Sequence, residues 1–193
     1  MRYEWAALAR ALRAEVGRAE RYAHCLRVAR CAEGLARTHG ADPLRARVAG
    51  LLHDLARNRT PAELLAFCAE HGLAIEPFER RFPIVLHAKV GAELARTQLG
   101  IDDPHILEAI RCHTLGAPAM GTVAALVFVA DAIEPGRRYP ERAALARLAL
   151  ENLAAATLAV LHSTIGYLHE RGLAAAPQTL AAVDALAVKE ASS

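Results

Sequence analysis

Apolar residues recur at helical spacing along almost the whole chain, and no stretch alternates between apolar and polar residues for long enough to indicate a strand. Helix-start signals interrupt this pattern. Asp42 precedes a proline at a first helical position, and Thr60, Pro61 and Glu63 form a capping box. The sequence therefore predicts an all-α fold.

The start signals, together with glycines at expected helix ends, divide the chain into a series of helices. Residues 75–83 and 113–120, which are rich in charge, proline or glycine, are predicted to be loops. The last long helix carries leucines at helical intervals. It either covers the preceding helices or presents an apolar stripe to a second copy in a homodimer. The predicted helices span residues 4–16, 21–39, 43–56, 61–71, 83–99, 103–112, 120–133, 141–171 and 177–189.

The 193 residues contain no linker, repeat or low-complexity segment apart from a short polar tail at 191–193, so we expect a single domain over 1–193. A chain of this length buries about 70% of its unfolded surface, so it needs no metal merely to fold. The formal net charge of +2 argues against a nucleic-acid binder.

No targeting or membrane segment is predicted. The first residues lack the unbroken apolar stretch of a signal peptide, and the best apolar run, 123–133, is too short to span a bilayer. The four cysteines, Cys25, Cys31, Cys68 and Cys112, show no paired metal-site spacing. We interpret them as reduced thiols of a cytoplasmic protein.

His53 and Asp54 stand side by side at the end of an otherwise apolar predicted helix. Burying an unpaired carboxylate is costly, so Asp54 requires a cation or several donors as partners. The alternative is a helix C-terminus that reaches solvent, where the helix dipole favours a histidine.

Three further positions strengthen the metal hypothesis. Arg21 and His24 lie on one face of a predicted helix, and Asp131 lies within the most apolar predicted helix of the chain. Taken alone, a residue such as Asp131 is usually a buried hydrogen-bonding group or a cap rather than a metal ligand. Together, His24, His53, Asp54 and Asp131 supply two imidazoles and two carboxylates. Such a set suits iron, manganese or another borderline-to-hard divalent cation.

The order of these residues resembles the HD-domain superfamily of metal-dependent phosphohydrolases, and within it the bacterial symmetrical bis(5'-nucleosyl)-tetraphosphatases. The resemblance runs from about residue 21 to 186. It places the HD core at about 21–135 and the covering helices at about 140–189. The shared segments are RYAH (21–24), AGLLHD (49–54), LHA (86–88), AIRCHTLG (109–116), Met120 and ADAIEPGR (130–137).

This resemblance implies hydrolysis of a dinucleoside tetraphosphate, such as diadenosine tetraphosphate, into two nucleoside diphosphates at a metal that is typically iron. A metal held by His24, His53, Asp54 and Asp131 acidifies bound water and polarises a phosphoryl oxygen. We assign Asp54 the catalytic role of orienting that water or accepting its proton. Two alternatives remain open. They are an HD phosphohydrolase acting on a deoxynucleoside monophosphate or a guanosine alarmone, and a nucleotide-sensing HD module without turnover.

The phosphates of such a substrate require cationic donors. Arg21, Arg57 and Arg137 each accompany one of the metal-bearing segments, and a guanidinium suits phosphate oxygens. The alternative for each is an ordinary surface arginine.

His87, His113 and Thr114 complete the predicted substrate contacts, either as hydrogen-bond donors to phosphate or, for the histidines, as ligands of a second cation. No catalytic role is assigned to His39, His71, His105, His162 and His169.

Overall fold

The computed structural model describes residues 3–191, with side chains up to 188. It confirms the all-α class, because this part of the chain contains α-helices and one 3₁₀ turn and no strand. Ser192 and Ser193 of the predicted polar tail lie outside the described residues. The helices are α1 (Trp5–Val16), α2 (Ala19–Thr38), α3 (Pro43–Leu52), α4 (Pro61–Glu70), α5 (Pro77–Arg81), α6 (Leu86–Leu99), α7 (Pro104–Cys112), α8 (Thr122–Ile133), α9 (Arg142–Glu151), α10 (Leu153–Glu170) and α11 (Pro177–Ala191).

The predicted helix starts at Asp42 and Thr60 are confirmed. The Asp42 side chain accepts hydrogen bonds from the backbone N–H groups of Leu44 and Arg45, and Thr60 and Glu63 form the reciprocal capping box. Both caps lie within three residues of the groups they satisfy, which is why the sequence alone revealed them.

Three predicted boundaries were wrong. The segment 75–83, expected to be a loop, contains the short helix α5, which begins with a proline and a capping box of Glu76 and Glu79. The next helix was predicted to begin at residue 83, but Pro83–Val85 form a 3₁₀ turn and α6 begins at Leu86. The predicted helix 43–56 ends already at Leu52.

The predicted long helix 141–171 is in fact two helices. Asn152 adopts extended backbone angles, φ −147° and ψ 105°, and its side chain accepts a hydrogen bond from the backbone N–H of Ala155. It therefore ends α9 and caps α10 within a continuous apolar pattern.

Helices α2, α3, α7 and α8 pack against one another at the centre of the molecule, and α6 packs on α7. Helix α3 approaches α2 closely at Gly50, where an added Cβ would lie 3.0 Å from Cα of Ala29. Glycine is therefore required for these two helices to meet at this distance.

The C-terminal helices cover this centre. Helix α10 packs on α8, α9 and α11, and Leu145 and Leu161 are buried in the core rather than presented to solvent. No helix in residues 3–191 is both long enough and apolar enough to cross a bilayer. The four cysteines are free, and only Cys31 among them is not fully buried.

Candidate metal centre and active site

Three buried histidines, His53, His87 and His113, share one local arrangement. The Nδ1–H of each ring donates to the carbonyl oxygen three residues earlier, at distances of 2.8, 2.6 and 2.7 Å respectively. A carbonyl oxygen only accepts, so these contacts assign a proton to Nδ1, and in the neutral form of each ring Nε2 keeps a free lone pair. Each ring is thereby oriented as a metal ligand requires.

His24 is oriented differently. It lies on α2, and its Nδ1 is 3.1 Å from Oε1 of Glu134, a carboxylate just after the end of α8. Its Nε2 is directed towards the same interior region as those of the other three histidines, 3.9 Å from an oxygen of Asp54. Helices α2, α3, α6, α7 and α8, with the segments that follow three of them, thus converge on one buried cluster.

The first group in this cluster consists of His24, His53 and Asp131, which offer one ligand atom each within 4.8 Å of one another. Nε2 of His24 lies 3.1 Å from Oδ1 of Asp131, and Nε2 of His53 lies 3.9 Å from the same oxygen. Both Nε2 atoms are buried and have no hydrogen-bond partner in the described part of the chain. Unpartnered imidazole nitrogens around a carboxylate fit a bound cation.

The second group consists of Asp54, His87 and His113. Oδ1 of Asp54 lies 3.4 Å from Nε2 of His87 and 3.6 Å from Nε2 of His113. The other oxygen of Asp54 lies 3.5 Å from Nε2 of His53. Asp54 therefore presents one carboxylate oxygen to each group. The hydroxyl of Thr114 lies 3.0 Å from His113 Nε2 and 3.2 Å from His87 Nε2.

The carboxyl groups of Asp54 and Asp131 are both ionised at neutral pH. Burial opposes ionisation of Asp54, but neighbouring His53, His87 and His113 outweigh it and keep its pKa well below the usual range. Burial likewise opposes ionisation of Asp131, and His24, His53 and Arg137 lower its pKa. Burial lowers the pKa of His113, so this imidazole is neutral at pH 7 and has a lone pair available.

The Cys25 thiol also lies near His53 and Asp54. Burial raises the pKa of this thiol, which disfavours its thiolate form in the metal-free protein. The remaining nitrogen and oxygen donors match the mixed set expected for iron or manganese.

Two of the arginines predicted to bind phosphate are paired with these carboxylates. Arg21 donates from Nη1 to Oδ2 of Asp54 at 2.7 Å. Arg137 donates to both the side chain and the backbone carbonyl of Asp131. The side chain of Arg57, by contrast, makes no hydrogen bond or ion pair within the described residues, and its backbone N–H donates to the carbonyl of Asp54.

A cavity of about 340 Å³ opens beside the cluster. All six predicted substrate-binding residues line it, namely Arg21, Arg57, His87, His113, Thr114 and Arg137, together with Asp54 and Asp131. Sequence reasoning did not identify the rest of the lining, which consists of Phe128 and Ala132 on α8 and Val160 and Thr164 on α10. The cavity therefore combines polar, cation-rich residues with partly apolar ones.

Sequence reasoning also missed Glu134 and Arg27. Glu134 is only 1% exposed and accepts hydrogen bonds from Arg27 and from the backbone N–H of Gly136. Burial opposes its ionisation, but Arg27, His24 and Gly136 hold its pKa at about 2. The available signal was its place directly after the most apolar helix, within the segment ADAIEPGR.

A family model described as the HD domain matches residues 21–136. The chain belongs to the HD-domain family. This HD-domain chain is 34% identical over 88% of its length to the symmetrical bis(5'-nucleosyl)-tetraphosphatase of Halalkalibacterium halodurans, covering 90% of that protein. It is 33% identical over 82% of its length to the protein of the same name from Bacillus subtilis, covering 85% of it.

A solved structure extends the similarity to the whole fold. It is a crystal structure of a predicted HD superfamily hydrolase involved in NAD metabolism from Clostridium acetobutylicum, 31% identical, with a TM-score of 0.93. The match covers 98% of the HD-domain chain and 100% of the other chain. The C-terminal helices α9–α11, which lie beyond the matched family model, are therefore part of the shared architecture.

Proposed function

We propose that this HD-domain protein hydrolyses dinucleoside tetraphosphates symmetrically, so that diadenosine tetraphosphate yields two ADP. The observation that carries the proposal is the cavity lined by three arginines, beside which two groups of histidine and carboxylate side chains converge, with Nε2 of His24 and of His53 buried and unpartnered in the described part of the chain. The relatives named as symmetrical bis(5'-nucleosyl)-tetraphosphatases, which match most of the chain, support the choice of substrate.

Two metal positions fit the donor set, and we propose iron, with manganese as the alternative. His24, His53 and Asp131 would hold one ion and His87 and His113 the other, with Asp54 as a ligand shared by both groups. Metal bound there would lower the pKa of a water molecule and polarise a phosphoryl oxygen. The lack of thiolate donors disfavours a structural zinc site.

Asp54 is proposed to orient the attacking water rather than to accept its proton. Its pKa lies well below the usual range, so the carboxylate is a weak base at neutral pH. Its backbone carbonyl also accepts from the N–H of Arg57, which fixes the turn that follows α3. The side chain is therefore rigidly placed between the histidines and the cavity.

The arginines are proposed to bind the phosphate chain. Arg57 has no competing partner in the described structure and is the most available cation of the cavity. Arg21 and Arg137 are held by Asp54 and Asp131 at the cavity wall, so their free guanidinium N–H groups are already oriented. Thr114 adds a hydroxyl on the side where His87 and His113 lie.

The reaction consumes one water and breaks the central phosphoanhydride. The water oxygen bonds to one of the two inner phosphorus atoms, and the bridging oxygen leaves with the other diphosphate. A nucleotide panel with products separated by anion-exchange chromatography tests this directly. In ¹⁸O-water, symmetrical cleavage of diadenosine tetraphosphate places one label in half of the ADP formed.

Formation of ATP and AMP, or faster turnover of deoxynucleoside monophosphates or guanosine alarmones, would contradict the proposal. Absence of turnover with every nucleotide, at full metal loading, would favour the sensing module. The Asp54→Asn variant is expected to lose at least about 100-fold in kcat. Asp103→Asn is its matched control, because Asp103 is also buried and paired with an arginine, Arg45, but lies outside the cavity.

We further propose that the protein works in the cytoplasm, since its four free cysteines suit a reducing compartment. A homodimer stays a prediction from the sequence. Exposed apolar side chains on the C-terminal helices, such as Leu150 and Tyr167, are the positions at which a second copy would bind.

A further inference from the structure

One of the four buried histidines is oriented by a carboxylate instead of a backbone carbonyl. Nδ1 of His24 is 3.1 Å from Oε1 of Glu134, whereas the other three rings donate to carbonyl oxygens in their own helical turn. His24 lies in the middle of α2, where the carbonyls of its own helix are already engaged by helical hydrogen bonds. Its orientation therefore depends on a residue 110 positions away.

Glu134 is itself held rigidly. Arg27 donates from Nε to Oε2 at 2.5 Å and from Nη2 to Oε1 at 3.2 Å, and the backbone N–H of Gly136 donates to Oε2 at 2.6 Å. Both carboxylate oxygens are thus occupied by donors. Arg27 lies on α2, three residues after His24, so the same helix supplies the ring and the cation that holds its partner.

Gly136 makes room for this arrangement. A Cβ at this position would lie 2.6 Å from Nε of Arg27, so any side chain there would displace the guanidinium from Glu134. The turn after α8 thus needs glycine because Arg27 occupies the space that a side chain would fill.

We propose that Glu134 is the positioning residue of the metal centre, and that Arg27 and Gly136 hold it in place. Glu134 accepts a hydrogen bond from Nδ1–H of His24 and so fixes the tautomer in which Nε2 is free to bind a metal. The negative charge of Glu134 also makes Nε2 a stronger electron-pair donor to the metal. This inference rests on the metal centre of the proposed function but not on the identity of the nucleotide.

The test is a titration of the metal-depleted full-length chain with Mn²⁺, in which the electron paramagnetic resonance signal measures the free ion. Loss of such an outer partner typically weakens metal binding by 10- to 100-fold, and Glu134→Gln is expected to raise the Kd of the tighter site by about that factor. Asp103→Asn is the control, because Asp103 is likewise buried and accepts from an arginine and a backbone N–H. Its Kd for Mn²⁺ is expected to equal that of the wild type.

Gly136→Ala gives a second measurement in a chain that retains Glu134. Displacing Arg27 should raise the Kd for Mn²⁺ less than Glu134→Gln does but clearly above the control. Equal Kd values for Glu134→Gln and Asp103→Asn would overturn the proposal, and so would an unchanged Kd in both site variants. Because no nucleotide is present, this outcome is independent of whether the tetraphosphate is the substrate.

Discussion

The Nε2 atoms of His87 and His113 lie 3.1 Å apart, although both rings have already donated their Nδ1 protons to backbone carbonyls. Two imidazole lone pairs at this distance repel each other unless a cation or a proton lies between or beside them. Thr114 can donate its hydroxyl proton to only one of them. A second metal position, as proposed above, would relieve this repulsion, and so would a proton shared by the two rings.

Replacing His87 by alanine should remove that second position while leaving the first. We expect about two bound metals per chain in the wild type and about one in His87→Ala, consistent with a two-metal phosphohydrolase. Inductively coupled plasma mass spectrometry of the purified proteins measures the ratio. His162→Ala, which changes an exposed histidine, is the control. An unchanged ratio of metal to protein in His87→Ala would show that His87 is not a metal ligand.

Arg57 should contribute mainly to substrate binding. A hydrogen bond to a charged group is worth about 1.5 kcal/mol or more, so Arg57→Ala is expected to raise KM roughly tenfold. Steady-state kinetics with diadenosine tetraphosphate measure the KM of the variant and of the wild type. Arg59→Ala is the matched control, because Arg59 lies two residues further along and pairs with Glu15 outside the cavity. Equal KM values in the two variants would exclude Arg57 from phosphate binding.

Helix α11 should stabilise the loop that carries His113 and Thr114. Thr179 donates its hydroxyl to the carbonyl of Leu115 at 2.9 Å, and Gln178 donates to the carbonyl of Gly116. Thr179→Val removes one of these bonds at nearly constant volume and is expected to cost about 1 kcal/mol in stability and to lower kcat/KM.

Thr157→Val is the control for this loop prediction, since Thr157 is equally buried but donates to Leu153 within its own helix. Thermal unfolding and kinetics of both variants separate stability from activity. A fall in kcat/KM that is no larger for Thr179→Val than for Thr157→Val would mean that α11 does not support the site.

Asp103 should contribute a pH-dependent part of the stability. Burial opposes its ionisation, but Arg45 and the backbone N–H of His105 outweigh it and lower its pKa below the ordinary value. A carboxyl group with a lowered folded-state pKa stabilises the protein above its unfolded pKa, near 4, and loses this effect as the pH falls through the folded value. Asp103→Asn is therefore expected to be less stable than the wild type at pH 7, by up to about 1 kcal/mol.

That difference in unfolding free energy should shrink below about pH 4, where the carboxyl becomes protonated in the unfolded wild-type chain, and disappear below the lower folded-state pKa. Urea unfolding followed by circular dichroism at pH 7 and pH 3 measures it. A difference that is constant across this range would show that the charge of Asp103 has no part in the effect.

The helix starts at Asp42 and Thr60 could be predicted because each cap satisfies groups within three residues. The break at Asn152 could not, since the apolar period continues on both sides and only the extended backbone of one residue separates α9 from α10. Local signals in the sequence are therefore reliable where the stabilising contact is itself local.

The same distinction applies to the site. Each metal-capable side chain stands in a short recognisable segment, and the predicted substrate residues lie together in one cavity. What the sequence did not reveal is how the rings are oriented. The contact of Glu134 with His24 spans 110 positions, and the wall formed by Val160 depends on how α10 packs on α8.

The close contact at Gly50 has a consequence for how the centre tolerates change. The carbonyl of Gly50 orients His53, while a Cβ on Gly50 would lie 3.2 Å from the carbonyl oxygen of Val28, one helical turn after His24. At this point the separation of the two histidines is limited by contact between main chain and main chain. A side chain at position 50 would therefore change the distance between His24 and His53 without touching any residue that lines the cavity.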